Sequence, residues 1–177
     1  TGYQEALTDP SYCEQILVMT YPHIGNTGTN PEDPESSNVW VSGFIARHFT
    51  EEPSNHRSTK SLQGYLQDSS TPGLHGIDTR ALVRHIRSKG AMKGVLSTDG
   101  QSKEQLLELL EQWPGMAGRA LATEVCDDSV SILNDPPEPR LRVNLIDGGC
   151  KQNIARLLKQ ANCFVRNVPI TAEASQW

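Results

Sequence analysis

Two short stretches hold the residue types that could do chemistry. In Asp9-Pro10-Ser11 a carboxylate and a hydroxyl flank a proline. The aspartate can accept a hydrogen bond from the backbone beyond Pro10, leaving the Ser11 hydroxyl on a rigid corner suited to ligand contact. Turn chemistry alone also explains these residue types. The second stretch, Asp147-Gly148-Gly149-Cys150-Lys151, brings a carboxylate, a thiol and an ammonium within five residues. A cysteine beside a lysine, at a turn that opens a helix, has the setting that lowers a thiol pKa. Cys150 is therefore a candidate nucleophile. Against it, an elbow of the G-x-C-x-G type needs glycine two residues after the cysteine, and Gln152 stands there. No motif-linked general base accompanies it, so Cys150 reads as a small loop residue and the stretch supplies no catalytic residue.

The remaining reactive side chains form no pattern. Cys13, Cys126, Cys150 and Cys163 lack C-x-x-C spacing, which predicts reduced thiols and a cytoplasmic protein. His23, His48, His56, His75 and His85 are scattered without metal-ligand spacing, so no metal site is expected. A net charge of -5 with no basic run argues against a nucleic-acid partner. No apolar stretch approaches the roughly 18 to 20 residues of a membrane span, and no secretory pattern opens the chain. The first residue is Thr1 rather than methionine, and the sequence reads as a fragment.

The elements that must position the two stretches follow from periodicity. Ile16 to Thr20 is an apolar run of strand length, with the Asp-Pro-Ser corner before it and Tyr21 to Asn26 after it. Gly25, Asn26 and Gly28 can take positive φ there. Val39 to Ala46 predicts a buried strand, and Ser58 to Gln67 a short helix that breaks at Ser69-Ser70-Thr71-Pro72-Gly73. Asp78 is an expected N-cap for a helix ending at Gly90, with Leu82, Val83 and Ile86 on one face and Arg80, Arg84 and Arg87 on another. That arginine face reads as solvated. Gly94 to Ser97 predicts a strand, and Ser102 to Trp113 an amphipathic helix whose four leucines are expected in the core.

A proline-rich segment, Asn134 to Arg140, marks a domain boundary. Beyond it, Arg142 to Asp147 predicts a strand, Asn153 to Ala161 a helix and Cys163 to Val168 a second strand. This is a right-handed βαβ unit with parallel strands. Its Asp147 to Lys151 loop then lies at a strand carboxyl end and opens a helix, where backbone N–H groups could favour an anion.

Three ordered segments carry a family resemblance. The stretch Thr1 to Asn30, TGYQEALTDPSYCEQILVMTYPHIGNTGTN, resembles the signature of the small, glutamine-dependent subunit of carbamoyl-phosphate synthase. Gly73 to Leu82 resembles that family's segment around Asp-Thr-Arg, and Asp147 to Ile154 resembles the start of its amidotransferase domain.

The resemblance implies an α/β protein: an N-terminal α+β small-subunit domain over 1–133, a linker over 134–140, and from 141 to 177 the first βαβ of a class I glutamine amidotransferase, flavodoxin-like domain. It implies that Ser11 helps bind glutamine across the domain interface. It also places Asp9 and Lys151 near the region where ammonia passes to the partner subunit. The catalytic cysteine, histidine and glutamate of the family would follow Trp177, so this segment alone should not hydrolyse glutamine. The implied partner is the large subunit, which uses ATP and magnesium to make carbamoyl phosphate from bicarbonate for arginine and pyrimidine synthesis. The segment itself needs no cofactor. A non-catalytic docking homologue without the nucleophile cysteine would carry the same motifs. Many family members have a larger residue where Gly148 stands, a departure that bears on the loop's shape.

Overall fold

The computed structural model describes residues 2 to 176; Thr1, which opens the first signature stretch, and Trp177 lie outside them. The chain forms an α/β structure with two three-stranded sheets. It opens with helix α1, Tyr3–Leu7, which periodicity does not announce. Five residues cannot sustain a helix alone, so tertiary contacts hold it. The Tyr3 hydroxyl donates to the Gly28 carbonyl at 2.5 Å. The Gln4 carboxamide donates to the Asn30 carbonyl at 2.6 Å and accepts from the Asn30 N–H at 2.9 Å. The glycine expectation holds at Gly25 and Gly28, whose φ values are 101° and 62°, while Asn26 takes negative φ.

The first sheet has the order β1-β2-β3, all parallel, from β1 (Ile16–Met19), β2 (Gly43–Ala46) and β3 (Gly73–Leu74). β2 is shorter than the apolar run around it, and every one of its residues is buried. Helix α2, Leu62–Asp68, starts after Ser61 rather than at Ser58. Thr59 and Lys60 are drawn into backbone bonds with Thr29, the Ser58 N–H donates to the Asn55 carbonyl, and the Ser61 hydroxyl then accepts from the Gly64 N–H at 3.2 Å. Tyr3, Leu7, Ile24, Phe44, Leu62 and Leu66 form the core between these elements. Each such side chain, taken fully out of water, contributes about 1.5–3 kcal/mol.

Asp78 caps helix α3, Thr79–Lys89, through a 2.9 Å bond from the Ala81 N–H, and Gly90 follows at φ 85°, both as the residue types require. Two expectations fail beyond it. Residues 94–97 form no strand. Helix α4, Lys103–Gln112, forms behind a complete Ser102 and Gln105 capping box, yet its leucines are not core: Leu107 and Leu109 are each 47% exposed. Periodicity shows that a helix has an apolar face, but it does not say that another element covers that face.

After helix α5, Ala122–Val125, comes strand β4, Ser131–Asn134, which the acidic composition hides. β4 runs antiparallel to the last strand. Strand β5 (Leu141–Asp147), helix α6 (Gln152–Gln160) and strand β6 (Cys163–Pro169) follow at the expected places, with β5 and β6 parallel in continuous register. The second sheet therefore has the order β4-β6-β5 and is mixed, with its first strand taken from ahead of the proline-rich segment. None of the α-helices among the described residues is long and apolar enough to cross a membrane.

Candidate functional site

The two stretches that sequence singles out meet in space. Asp9 precedes a single 3-10 turn, Pro10–Tyr12, and its Oδ1 accepts from the Ser11 N–H at 3.0 Å. This is the corner that Pro10 predicts. The other carboxylate oxygen, Oδ2, pairs with the Lys151 ammonium at 2.8 Å. The Lys151 side chain is half-exposed, whereas the Asp9 side chain is only 8% exposed. Burial pushes the Asp9 carboxyl up, but hydrogen bonds from Lys151 and from the Ser11 backbone and hydroxyl outweigh it and hold the group below the ordinary carboxylate range. The Lys151 ammonium is raised in turn by its bond to Asp9. Ser11 itself is exposed at the edge of this joint.

Asp147, the last residue of β5, organises the loop that carries Lys151. Its Oδ1 accepts from the Gly149 and Cys150 N–H groups, both at 2.9 Å. Its Oδ2 accepts from the Asp127 N–H at 2.8 Å and from the Asn167 carboxamide at 3.2 Å. Burial raises this carboxyl, yet the N–H groups of Cys150, Asp127 and Gly149 and the Asn167 amide together hold it below its usual value. The loop also packs against the Asp-Pro-Ser corner. Gly149 has φ 98°, and a Cβ there would lie 2.6 Å from Val125 Cγ2 and 2.9 Å from Pro10 Cβ, so only glycine fits. At Gly148 a Cβ would make ordinary contacts, with Ile170 Cδ1 at 3.6 Å and Ala122 Cβ at 3.7 Å. A β-carbon at Gly148 is thus accommodated without displacing its neighbours.

The setting that would lower the Cys150 thiol pKa is outweighed. Burial pushes its thiol up, the neighbouring Asp147 carboxylate adds to the rise, and a hydrogen bond from the Gly148 backbone only partly offsets them. The thiol donates to the Ile146 carbonyl at 3.2 Å. Lys151 does not activate it because its ammonium turns to Asp9. The open anion position at the start of α6 is also filled from within the chain. The Gln152 N–H donates to the Glu35 carbonyl at 2.7 Å and the Asn153 N–H to the Glu35 carboxylate at 3.0 Å. Arg156 reaches the Pro34 carbonyl at 3.0 Å. The same loop is tied back to α1, since the Glu35 N–H donates to the Thr8 hydroxyl at 2.8 Å and the Ser36 hydroxyl to the Thr8 carbonyl at 2.6 Å. Beside the joint lies a cavity of about 620 Å³ whose lining includes Pro10, Trp40, Asp127, Asp147, Lys151 and Arg156. Ser11 is not part of that lining.

The family model described as carbamoyl-phosphate synthase small chain, CPSase domain, covers residues 1–96. This chain belongs to the carbamoyl-phosphate synthase small chain family. Among curated relatives, the carbamoyl phosphate synthase small chain of Syntrophotalea carbinolica is 46% identical over 98% of this chain and 50% of the relative. That of Synechocystis is 44% identical over 99% of this chain and 50% of the relative, and that of Thermotoga maritima 44% over 98% and 44%. The chain spans about half the length of the curated relatives it matches.

Sequence reasoning names Asp9, Ser11 and Lys151 in this small chain but misses the residues that hold them. Asp147 carries a local signal, an aspartate ending a strand before two glycines, which marks a side chain that accepts from the following N–H groups. Glu35 carries none, because its partners lie far away in sequence. The histidines also escape. His23, His48 and His75 follow β1, β2 and β3, and their rings meet edge-on at centroid distances of 5.3 Å and 6.2 Å. Among the described residues no group of three or more histidine, cysteine or acidic side chains is placed to hold a metal ion.

Proposed function

We infer that this chain serves the small subunit of a glutamine-hydrolysing carbamoyl-phosphate synthase, which releases ammonia from glutamine and delivers it to the large subunit for carbamoyl phosphate synthesis from bicarbonate and ATP. The observation that carries this reading is the Asp9 to Lys151 ion pair, which joins the Asp-Pro-Ser corner to the Asp147 loop at 2.8 Å. Two motifs far apart in a family member's sequence thereby form one structural unit. In this reading Ser11 presents its exposed hydroxyl to glutamine, and Asp9 and Lys151 line the way by which ammonia leaves.

The acyl transfer that splits glutamine needs an activated thiolate and an oxyanion hole. Cys150, with its raised thiol, is not that nucleophile. The nucleophile comes, in this reading, from the half of the relatives' length that the chain does not span, within an amidotransferase domain that begins at β5. ATP and magnesium act on the large subunit.

Ser11→Ala in the full-length small subunit, assembled with its large subunit, tests the reading. We expect the KM for glutamine to rise about tenfold or more, as befits loss of a hydrogen bond to a polar substrate, with ammonia-dependent synthesis unchanged. Equal losses with glutamine and with ammonia would reject Ser11 as a glutamine contact.

A further inference from the structure

Glu35 grips both partners of the Asp9 to Lys151 ion pair from a third place in the chain. Its N–H donates to the Thr8 hydroxyl at 2.8 Å, and Thr8, fully buried, immediately precedes Asp9. Its carbonyl accepts from the Gln152 N–H at 2.7 Å, and Gln152 immediately follows Lys151. Its carboxylate Oε2 accepts from the Asn153 N–H at 3.0 Å. Thr8 is fixed in turn. Its hydroxyl donates to the Gln4 carbonyl at 2.9 Å, and its carbonyl accepts at 2.6 Å from the Ser36 hydroxyl, which takes the Trp40 indole N–H at 2.9 Å.

Helix α6 depends on these bonds. Lys151 stands at its N-cap without a capping side chain, and its first turn holds no acidic residue. The free N–H groups of a helix start need acceptors, and the helix dipole favours a negative charge there. Glu35 supplies two acceptors and that charge from 118 positions before Asn153. After Asp9 itself, the same carboxylate adds to the rise of the Lys151 ammonium. The ion pair needs such an anchor. Lys151 reaches Asp9 from a half-exposed position through a long stem with many rotamers, and a pair of that kind fixes its own geometry weakly. Where the ammonium rests is therefore set by where the start of α6 is held, and Glu35 holds it against the residue next to Asp9.

We propose that Glu35 is a positioning residue for Lys151: by capping α6 from the loop bound to Thr8, it keeps the ammonium on Asp9 and thereby keeps released ammonia on its way to the large subunit. This rests on the small-subunit reading above, in which Asp9 and Lys151 line that way, and adds the residue that holds the lining in register. Glu35 touches neither glutamine nor the reacting atoms. Its effect falls on the share of ammonia that arrives, because a small displacement of a positioned group is enough to lose a directed transfer.

The test uses the full-length small subunit assembled with its large subunit. For wild type, Glu35→Ala and Glu35→Gln, the glutamine hydrolysed and the carbamoyl phosphate formed are measured in one reaction, and synthesis from added ammonia in another. Glu35→Gln keeps an oxygen that can accept from the Asn153 N–H, and Glu35→Ala removes it. In Glu35→Ala the carbamoyl phosphate formed per glutamine hydrolysed is expected to fall about threefold or more, with ammonia-dependent synthesis unchanged. Glu35→Gln is expected to retain most of the wild-type yield. If Glu35→Ala does not fold, Glu35→Asp, whose carboxylate is drawn back from Asn153 by one methylene, takes its place with the same expected loss. An unchanged yield in the folded variant overturns the positioning role and leaves the small-subunit reading standing. Equal falls in synthesis from glutamine and from ammonia do the same, since they mark a purely structural residue. Equal losses in Glu35→Gln and Glu35→Ala assign the effect to charge alone and overturn positioning through the cap. Absence of glutamine hydrolysis in the wild-type assembly overturns both readings.

Discussion

The Asp9 carboxylate is shared between its own turn and a residue from the other end of the chain: Oδ1 takes the Ser11 N–H at 3.0 Å and Oδ2 takes the Lys151 ammonium at 2.8 Å. The local bond shapes the corner, and the distant one docks that corner on the loop after β5. The two sheets are joined here, at the Glu35 bonds to α6, and where Arg119 forks onto Glu14 and also meets Glu124 at 3.1 Å.

Because the Asp9 side chain is nearly buried, removing its counter-charge leaves a carboxylate short of a partner. Lys151→Met is expected to destabilise the chain by about 1–3 kcal/mol. Asp9→Asn should cost a similar amount, and the double variant should cost clearly less than the sum, with a coupling of about 1 kcal/mol read from urea unfolding. Strict additivity would show that the two groups do not interact in solution.

Asp147 makes stability depend on acid. Its folded carboxyl lies below the ordinary value because four donors outweigh the effect of burial. A depressed folded pKa contributes stability that is fully present above the unfolded value, near 3.9, and is lost as pH falls through the folded one. Asp147→Asn is therefore expected to lower stability at pH 7 by about 2 kcal/mol, through donors left without an anionic acceptor. The gap between variant and wild type should narrow as pH falls below the unfolded value and close once the folded carboxyl is protonated. A gap that stays constant from pH 7 to pH 3 would mean that Asp147 carries no excess charge stabilisation.

Sequence is most informative where structure is local. The Asp78 and Ser102 caps, the Gly90 stop, the Asp-Pro-Ser corner and the order strand, helix, strand from β5 to β6 all follow from residues within a few positions of each other. What sequence hides depends on distant partners. Helix α1 exists because Gly28 and Asn30 hold it, and β4 because β6 pairs with it. The leucines of α4 show the opposite case, a correct helix whose apolar face no described element fully covers. At the site, the residue types were visible but not their assignments. Lys151 has two neighbours it could serve, Cys150 in sequence and Asp9 in space, and only the fold decides for Asp9.

That choice determines the behaviour of Cys150. With the ammonium engaged elsewhere and the thiol partly buried beside Asp147, the thiolate is disfavoured, so the raised pKa works against alkylation at neutral pH. Iodoacetamide at pH 7.5, followed by peptide mass spectrometry, should modify Cys150 more slowly than a small free thiol under the same conditions. The rate should climb with pH as the thiolate forms, at higher pH than for the free thiol, and should jump when the chain is unfolded in urea. Asp147→Asn should speed the folded-state reaction by withdrawing the nearby negative charge. A Cys150 rate faster than that of the free thiol at pH 7.5 would restore the activated thiolate that Lys151 and the start of α6 suggest from sequence, and would place Lys151 beside the sulfur rather than on Asp9.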